Sequence, residues 1–148
     1  MKKQRSLAGE RFLDEIRELD GLIKSLKDQI EIEESLLMDT SVHYKDIQVQ
    51  SSGSRNKMEE KIPKIADLIS RMEKYIRELT KKKDLAWAII LELEPKMQTV
   101  MLQYYLQGKT LEQIAEKAGR SYRWTWSEKR AAVEEFSRIF EKVVDKCV

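Results

Sequence analysis

The chain has almost none of the residues on which most enzyme and metal chemistry depends. Its 148 residues include one cysteine and one histidine. Because a disulfide needs two cysteines and a metal site needs several ligands, we expect Cys147 and His43 to be ordinary surface residues. The sequence has no glycine-rich phosphate loop, no HExxH motif and no CxxC pair. We therefore expect no enzyme, no catalytic residue, no metal and no cofactor.

Glycine and proline are also scarce, at five and two positions, whereas charged residues make up 36% of the chain. This composition is typical of long solvated helices and argues against a sheet-rich or disordered chain. The sequence has no apolar run of about 18 residues, the length that a membrane-spanning helix needs. Its first residues, MKKQRSLAGERF, lack the apolar core of a signal peptide. We therefore expect a cytoplasmic protein with no membrane partner.

Two heptad patterns dominate the first half of the chain, and their spacing is typical of coiled-coil helices. The first is broken by Glu33 and the second by Lys83. They flank a predicted loop at 39–56, which indicates an antiparallel hairpin over 1–83 with residue 12 roughly opposite residue 82. Whether the apolar stripes close within one chain or between two stays open. The stripes comprise Phe12, Ile16, Leu19, Ile23, Leu26, Ile30 and Leu37, then Met58, Ile62, Ile65, Ile69, Met72, Ile76, Leu79, Ala86, Ile90 and Leu93.

A helix-turn-helix pattern follows in the predicted second domain, 84–148. Because both predicted domains are helical, the predicted fold class is all-α. The segment GKTLEQIAEKAG, residues 108–119, has Thr110 as a helix cap and Gln113 three residues later to complete a capping box. Leu111, Ile114 and Ala118 recur at helical spacing and predict a core-facing stripe. Gly119 can adopt the positive φ that ends a helix. The next helix is predicted from about Ser121 to Val143.

The residues after this turn are basic and aromatic. Between Lys117 and Arg130 the chain has five cations and a single acid, Glu128. Such a segment is typical of a recognition helix, because cations contact phosphates while planar and polar groups contact base edges. Trp124 and Trp126 lie about 200° apart on a helix, so we expect Trp124 in the core and Trp126 exposed. The candidate DNA contacts are Arg120, Ser121, Arg123, Thr125, Trp126, Lys129 and Arg130, with secondary phosphate contacts at Lys81, Lys82, Lys83 and Lys109.

The stretch from Leu91 to Ala132 resembles region 4 of bacterial sigma factors. Together with the long helical first half, this stretch is similar to small phage and prophage regulators of the ArpU/RinA type. Residues 44–53 also resemble the loop that such regulators have between their first two helices. The resemblance implies a regulator that binds double-stranded DNA and activates late packaging or lysis genes, and it suggests contact with RNA polymerase. The matching residues are Leu93, Pro95, Val100, Leu102, Tyr105, Leu106, Gly108, Thr110, Ile114, Ala115, Gly119 and Ser121.

The predicted loop at 39–56 is longer than a return between two helices needs, and long loops in compact domains are often functional. Its residues 44–53 include Tyr44, Ile47 and two glutamines, a mixture that suits protein contact better than phosphate contact. We therefore expect residues 44–53 to be a functional surface.

The second helix departs from the usual helix-turn-helix pattern. Arg120, Thr125 and Glu128 occupy positions that are usually apolar, so we expect this helix to pack through other residues: Tyr122, Trp124 or Trp126, and Val133. Two other functions stay open. A small terminase subunit would also join a DNA-binding head to helical oligomerisation elements, and a helical protein-interaction module would bind polymerase or a host factor without contacting DNA. A homodimer is compatible with each of these functions.

Overall fold

The structure is a computed structural model that describes the backbone of residues 7–46 and 51–146 and the side chains of residues 7–38 and 59–146. Its regular elements are helical and no strand occurs in these residues, which confirms the all-α fold class. None of the described helices is long and apolar enough to cross a membrane. The elements are α1 (Ala8–Asp46), α2 (Ser51–Ile90), α3 (Pro95–Met101), a π-helical segment (Leu102–Leu106), α4 (Leu111–Ala118) and α5 (Tyr122–Lys146).

The first two helices extend well into the predicted loop at 39–56. Residues 39–46 continue α1 and residues 51–56 already belong to α2, while residues 47–50 lie outside the described part of the chain. The predicted length of this loop is therefore wrong. The segment 39–56 contains no proline that would end a helix. Because extending an existing helix by one residue costs far less free energy than starting a new helix, α1 and α2 continue into this segment. The expectation of a functional surface at 44–53 loses the support that came from loop length.

The chain divides into two compact units. The first unit combines Met1–Asp20 with Leu79–Val148, and the second unit is Gly21–Glu78. The start of the chain therefore belongs with its C-terminal part, whereas the sequence pattern predicts a domain boundary between residues 83 and 84. Both α1 and α2 contribute to each unit.

In the second unit, α1 and α2 pair through the predicted stripe of α1. Ile30 and Ile65 are buried, and so is Glu33, the residue that breaks the heptad pattern. The Glu33 carboxylate accepts a hydrogen bond from Lys64 Nζ at 3.0 Å, and Lys61 Nζ lies 4.0 Å away. A buried charge is costly unless it is paired. The two lysines therefore explain how a carboxylate occupies an apolar stripe.

The α2 stripe differs from the predicted one. Ile62 is 55% exposed and Ile76 is 42% exposed, although the heptad pattern predicts both on the contact face. Ile65, Met72 and Leu79 of the predicted stripe do lie on the inward face, whereas Lys61 and Tyr75 take the places predicted for Ile62 and Ile76. Because α2 has apolar side chains on two adjacent stripes, heptad spacing alone does not determine its rotation. The less exposed residues on the inward face are Lys61, Ile65, Leu68, Met72, Tyr75 and Leu79.

In the first unit, the opposing position predicted for residues 12 and 82 is confirmed. Lys82 Nζ lies 5.2 Å from the centroid of the Phe12 ring and 2.9 Å from Glu15 Oε2. Phe12 also stacks on Phe140, with ring centroids 4.9 Å apart. The first turns of α1 therefore contact both the end of α2 and the second half of α5. The fully buried side chains of this unit include Leu13, Ile16, Ala86, Ile90, Met101, Ala132 and Phe136.

Candidate nucleic-acid interface

The first helix of the predicted helix-turn-helix begins as the sequence indicates. Gln113 N donates to Thr110 Oγ1 at 3.2 Å, and Thr110 N donates to Gln113 Oε1 at 3.0 Å, which completes a capping box. Leu111 and Ile114 are buried. Ala115 is buried in place of Ala118, which is exposed. The small Ala115 therefore lies on the side of α4 that packs into the unit.

The turn between α4 and α5 is short and well hydrogen-bonded. Gly119 has φ +66° and ψ +33°, the left-handed conformation that favours glycine. The N–H of Arg120 donates to the carbonyl of Ala115 at 3.0 Å. Ser121 Oγ then accepts a hydrogen bond from Trp124 N at 3.0 Å and caps α5. The start of α5 is thus fixed relative to α4 by the backbone and by one hydroxyl group.

Thr125 faces the core and not the solvent. Its side chain is completely buried, and its hydroxyl donates to the carbonyl of Ser121 at 3.0 Å. A group in this position cannot reach a nucleic acid, so the predicted DNA contact at Thr125 is wrong. The hydroxyl also explains the departure from the usual apolar residue, since its hydrogen-bonding need is met within the helix. Tyr122, which the sequence predicts as a packing residue, is 50% exposed.

Arg130 and Lys129 contact other parts of the protein. Arg130 Nη1 lies 3.0 Å from Glu10 Oε2, and Arg130 Nε lies 3.5 Å from Glu134 Oε1. Lys129 Nζ lies 4.5 Å from the centroid of the Tyr104 ring. Both cations are only partly exposed. Arg130, with its charge already balanced, is the less suitable of the two as a phosphate contact.

Two of the four predicted secondary phosphate contacts form ion pairs within the protein. Lys82 pairs with Glu15 at 2.9 Å, and Lys83 lies 4.0 Å from Asp20. Lys81 is exposed, and Lys109 is partly exposed. The lysine run that breaks the heptad pattern therefore serves mainly to pair α2 with acids of α1.

The remaining predicted contacts lie together around the start of α5. Arg120, Ser121, Arg123 and Trp126 are exposed, as is Lys117 at the end of α4. Among the described residues, no ion pair is formed by Lys117, Arg120 or Arg123. This group of three cations, which we call the turn cations, keeps its charge available. Such a positive surface is what phosphate binding needs electrostatically.

The two tryptophans divide as predicted. Trp124 is half-buried, and the Arg120 guanidinium lies 4.9 Å from the centroid of its ring. Trp124 also lines a cavity of about 320 Å³ together with Val100 and Ile114. Trp126, in contrast, is 46% exposed. The first is therefore part of the packing between α5 and its neighbours, and the second is available at the surface.

Arg17 supports this surface from a distant point of the sequence. Its Nη1 donates to the carbonyl of Tyr104 at 2.6 Å and to the carbonyl of Lys109 at 3.2 Å. Its guanidinium also lies 3.9 Å from the centroid of the Tyr104 ring. Arg17 thereby holds both ends of the segment that leads into α4. Sequence reasoning missed it because a single arginine on a charged helix gives no local signal.

The described residues contain no group of three or more histidine, cysteine, aspartate or glutamate side chains that could hold a metal ion. No protein-family model, curated protein or solved structure matches the chain. The resemblance to sigma-factor region 4 and to phage regulators is therefore supported only by the sequence motifs described above.

Proposed function

We propose that the chain is a sequence-specific DNA-binding transcription regulator that inserts the first turns of α5 into the major groove of double-stranded DNA. The main support is the arrangement at the start of α5. A capped α4, a left-handed glycine and a capped α5 bring the turn cations together on an exposed surface. Recognition helices of helix-turn-helix proteins contact base edges with their N-terminal residues, which here are Tyr122, Arg123 and Trp126.

The electrostatics of this surface favour the same function. Lys117 lies in the last turn of α4, Arg120 in the turn and Arg123 in the first turn of α5, where the helix dipole adds a partial positive charge. Free backbone N–H groups in the first turn of a helix also bind phosphate oxygens. In this proposal Arg120 and the first-turn amides contact phosphates, while Arg123 reaches either a phosphate or a guanine.

The finer proposal is a phage or prophage activator of late packaging or lysis genes that works in the cytoplasm, has no catalytic activity and contacts RNA polymerase. Its support is the resemblance of the Leu91–Ala132 segment and of the long helical first half to such regulators. Trp87 is 47% exposed and provides one surface that a protein partner could contact. Expression of a reporter from the cognate promoter tests this role, and activation that requires both DNA binding and Trp87 would support it.

The DNA-binding proposal is tested by titrating labelled duplex DNA with the full chain at several salt concentrations. Phosphate contacts make the affinity fall steeply as salt rises. Arg120→Ala and Arg123→Ala should each weaken binding, and the salt slope should fall by about 1 for each phosphate that the variant no longer neutralises. Arg77→Ala is the matched control, since Arg77 is an exposed arginine on α2 in the second unit.

Two results would contradict the proposal. Binding that is absent or independent of salt in the wild-type chain would favour a protein-interaction module. Equal reductions in affinity for Arg77→Ala and Arg123→Ala would show that only net charge matters. Native mass spectrometry separates the remaining alternative, because a small terminase subunit forms a ring of many copies whereas an activator is expected as a monomer or dimer.

A further inference from the structure

Two large aromatic side chains are exposed at the start of α5. Tyr122 is 50% exposed and Trp126 is 46% exposed. Residues four apart on a helix lie on the same face, about 6 Å apart along its axis. Further along α5 the same side of the helix is buried at Val133 and Ser137, and Trp126 lines a small cavity together with Val133. At the start of α5, however, Tyr122 and Trp126 form an aromatic pair that the first unit covers only in part, so that about half of each side chain stays exposed.

The aromatic pair shares its exposed surface with a turn cation. Around the helix axis Arg123 lies about 100° from Tyr122 and about 60° from Trp126, and all three side chains are exposed. Aromatic side chains beside an arginine that forms no ion pair can bind a ligand that has both negative charge and apolar groups. The major groove of DNA has this combination, because each thymine projects a C5-methyl group between the phosphate backbones.

We propose that Tyr122 and Trp126 are specificity-determining residues that contact thymine methyl groups in the major groove. This inference rests on the proposed function and adds the chemistry by which the start of α5 selects its sequence. The Arg123 side chain anchors the helix, and each aromatic ring covers one methyl group. The separation of about 6 Å along the helix matches about two base-pair steps. The preferred duplex therefore contains two thymines at this spacing.

The test begins by selecting a preferred duplex from a randomised library with the full wild-type chain. Each thymine of the selected duplex is then replaced by deoxyuracil, which removes only the methyl group. At two positions the affinity of the wild-type chain should fall about fourfold, the effect expected when one buried methyl group is removed. Trp126→Ala should bind the thymine and uracil duplexes equally at one of these positions, and Tyr122→Ala at the other.

Two further variants control this experiment. Trp87→Ala removes an exposed tryptophan from α2 and should keep the full discrimination between thymine and uracil. Trp126→Phe keeps an aromatic ring at position 126 and should restore part of the discrimination that Trp126→Ala abolishes. Thermal unfolding of all four variants, monitored by circular dichroism, separates a lost methyl contact from a loss of stability, because each replaced side chain is still about half covered by the protein.

The possible failures are distinct. A selected duplex that binds equally well with uracil at every position would overturn the thymine contacts and leave DNA binding intact. Discrimination that persists unchanged in Tyr122→Ala and Trp126→Ala would overturn the role of these two residues. A selection that enriches no duplex would contradict the proposed function itself, and the aromatic contacts with it.

Discussion

Gly9 and Ser137 are in direct contact, although they lie near opposite ends of the sequence. Gly9 N donates to Ser137 Oγ at 2.9 Å, and Ser137 is buried. A Cβ atom at position 9 would lie 2.6 Å from Ser137 Oγ and 2.7 Å from Ser137 Cα. The first turn of α1 thus lies directly on α5, and one of its free amides is satisfied by the serine hydroxyl.

This contact predicts opposite effects for two glycine substitutions in the same helix. Gly9→Ala should destabilise the protein by about 1–3 kcal/mol, because the backbone of α5 has to move away from the added methyl group. Gly21→Ala should stabilise it by up to about 1 kcal/mol, since alanine is the better helix former and a Cβ there meets nothing within 4 Å. Chemical denaturation measures both. Equal effects would show that α1 does not approach α5 closely.

Arg17 leads to a prediction about the segment before α4. Replacing Arg17 by Met keeps an extended side chain but removes the hydrogen bonds to the carbonyls of Tyr104 and Lys109. We expect the free energy of unfolding to fall by about 1.5–3 kcal/mol, the range for hydrogen bonds to a charged group, and hydrogen exchange at residues 107–111 to become faster. Arg11→Met is the control, because Arg11 is an exposed arginine on the same helix. Unchanged exchange in Arg17→Met would exclude the support role.

Local features of this chain were predictable from sequence because the interacting residues are neighbours. The Thr110–Gln113 capping box and the turn at Gly119 depend on residues at most five apart, and both occur as predicted. The heptad stripe of α1 was also predicted correctly, since its residues from Phe12 to Leu37 are buried or partly buried, whereas Leu22, Ile32 and Leu36 outside it are exposed. In α2 apolar residues extend around more of the surface. Whether Ile62 or Lys61 faces inward therefore depends on tertiary packing, which the local sequence pattern does not determine.

The predicted contacts that need correction fail for a different reason. Thr125 and Arg130 fit a DNA-binding helix by residue type and position. Arg130, however, pairs with Glu10, which is distant in sequence. Thr125 is buried because of how α5 rotates against the rest of the first unit. The composition of the sequence identifies the basic segment. Which of its cations are exposed at the surface and which form ion pairs within the protein is determined by packing.

Glu33 gives the second unit a predicted dependence on pH. The hydrogen bond from Lys64 is the main reason that the pKa of Glu33 lies below its ordinary value of 4.5. A carboxyl group whose pKa is lowered by folding stabilises the protein above its unfolded pKa, and this stabilisation disappears as the pH falls through the folded value. Glu33→Gln should therefore melt at a lower temperature than wild type at pH 7, and the difference should shrink below about pH 4.5. Glu31→Gln is the control at an exposed position, and its difference in melting temperature from wild type should not change in this way with pH.

Tyr105 is buried with a hydroxyl group that finds no hydrogen-bond partner among the described residues. Burial raises the pKa of this hydroxyl, and the nearby Asp14 raises it further, so Tyr105 stays neutral. A buried polar group without a partner costs about 1–3 kcal/mol. We expect Tyr105→Phe to increase the free energy of unfolding by about 1 kcal/mol, while Tyr75→Phe, at a half-buried position, changes it little. A decrease for Tyr105→Phe would contradict an unsatisfied hydroxyl.

Arg130 and Arg123 lie two turns apart on α5 and should respond differently to substitution. Arg130→Ala breaks the ion pair with Glu10, in which both side chains are about three-quarters buried, and should lower the melting temperature. Glu10→Gln should do the same, and the double variant should be destabilised by less than the sum of the two, because the residues interact directly. Arg123→Ala should leave the melting temperature unchanged and reduce the salt slope of DNA binding by about 1. If Arg130→Ala reduced the salt slope as much as Arg123→Ala and left stability intact, Arg130 would be a phosphate contact and its pairing with Glu10 would have no structural role.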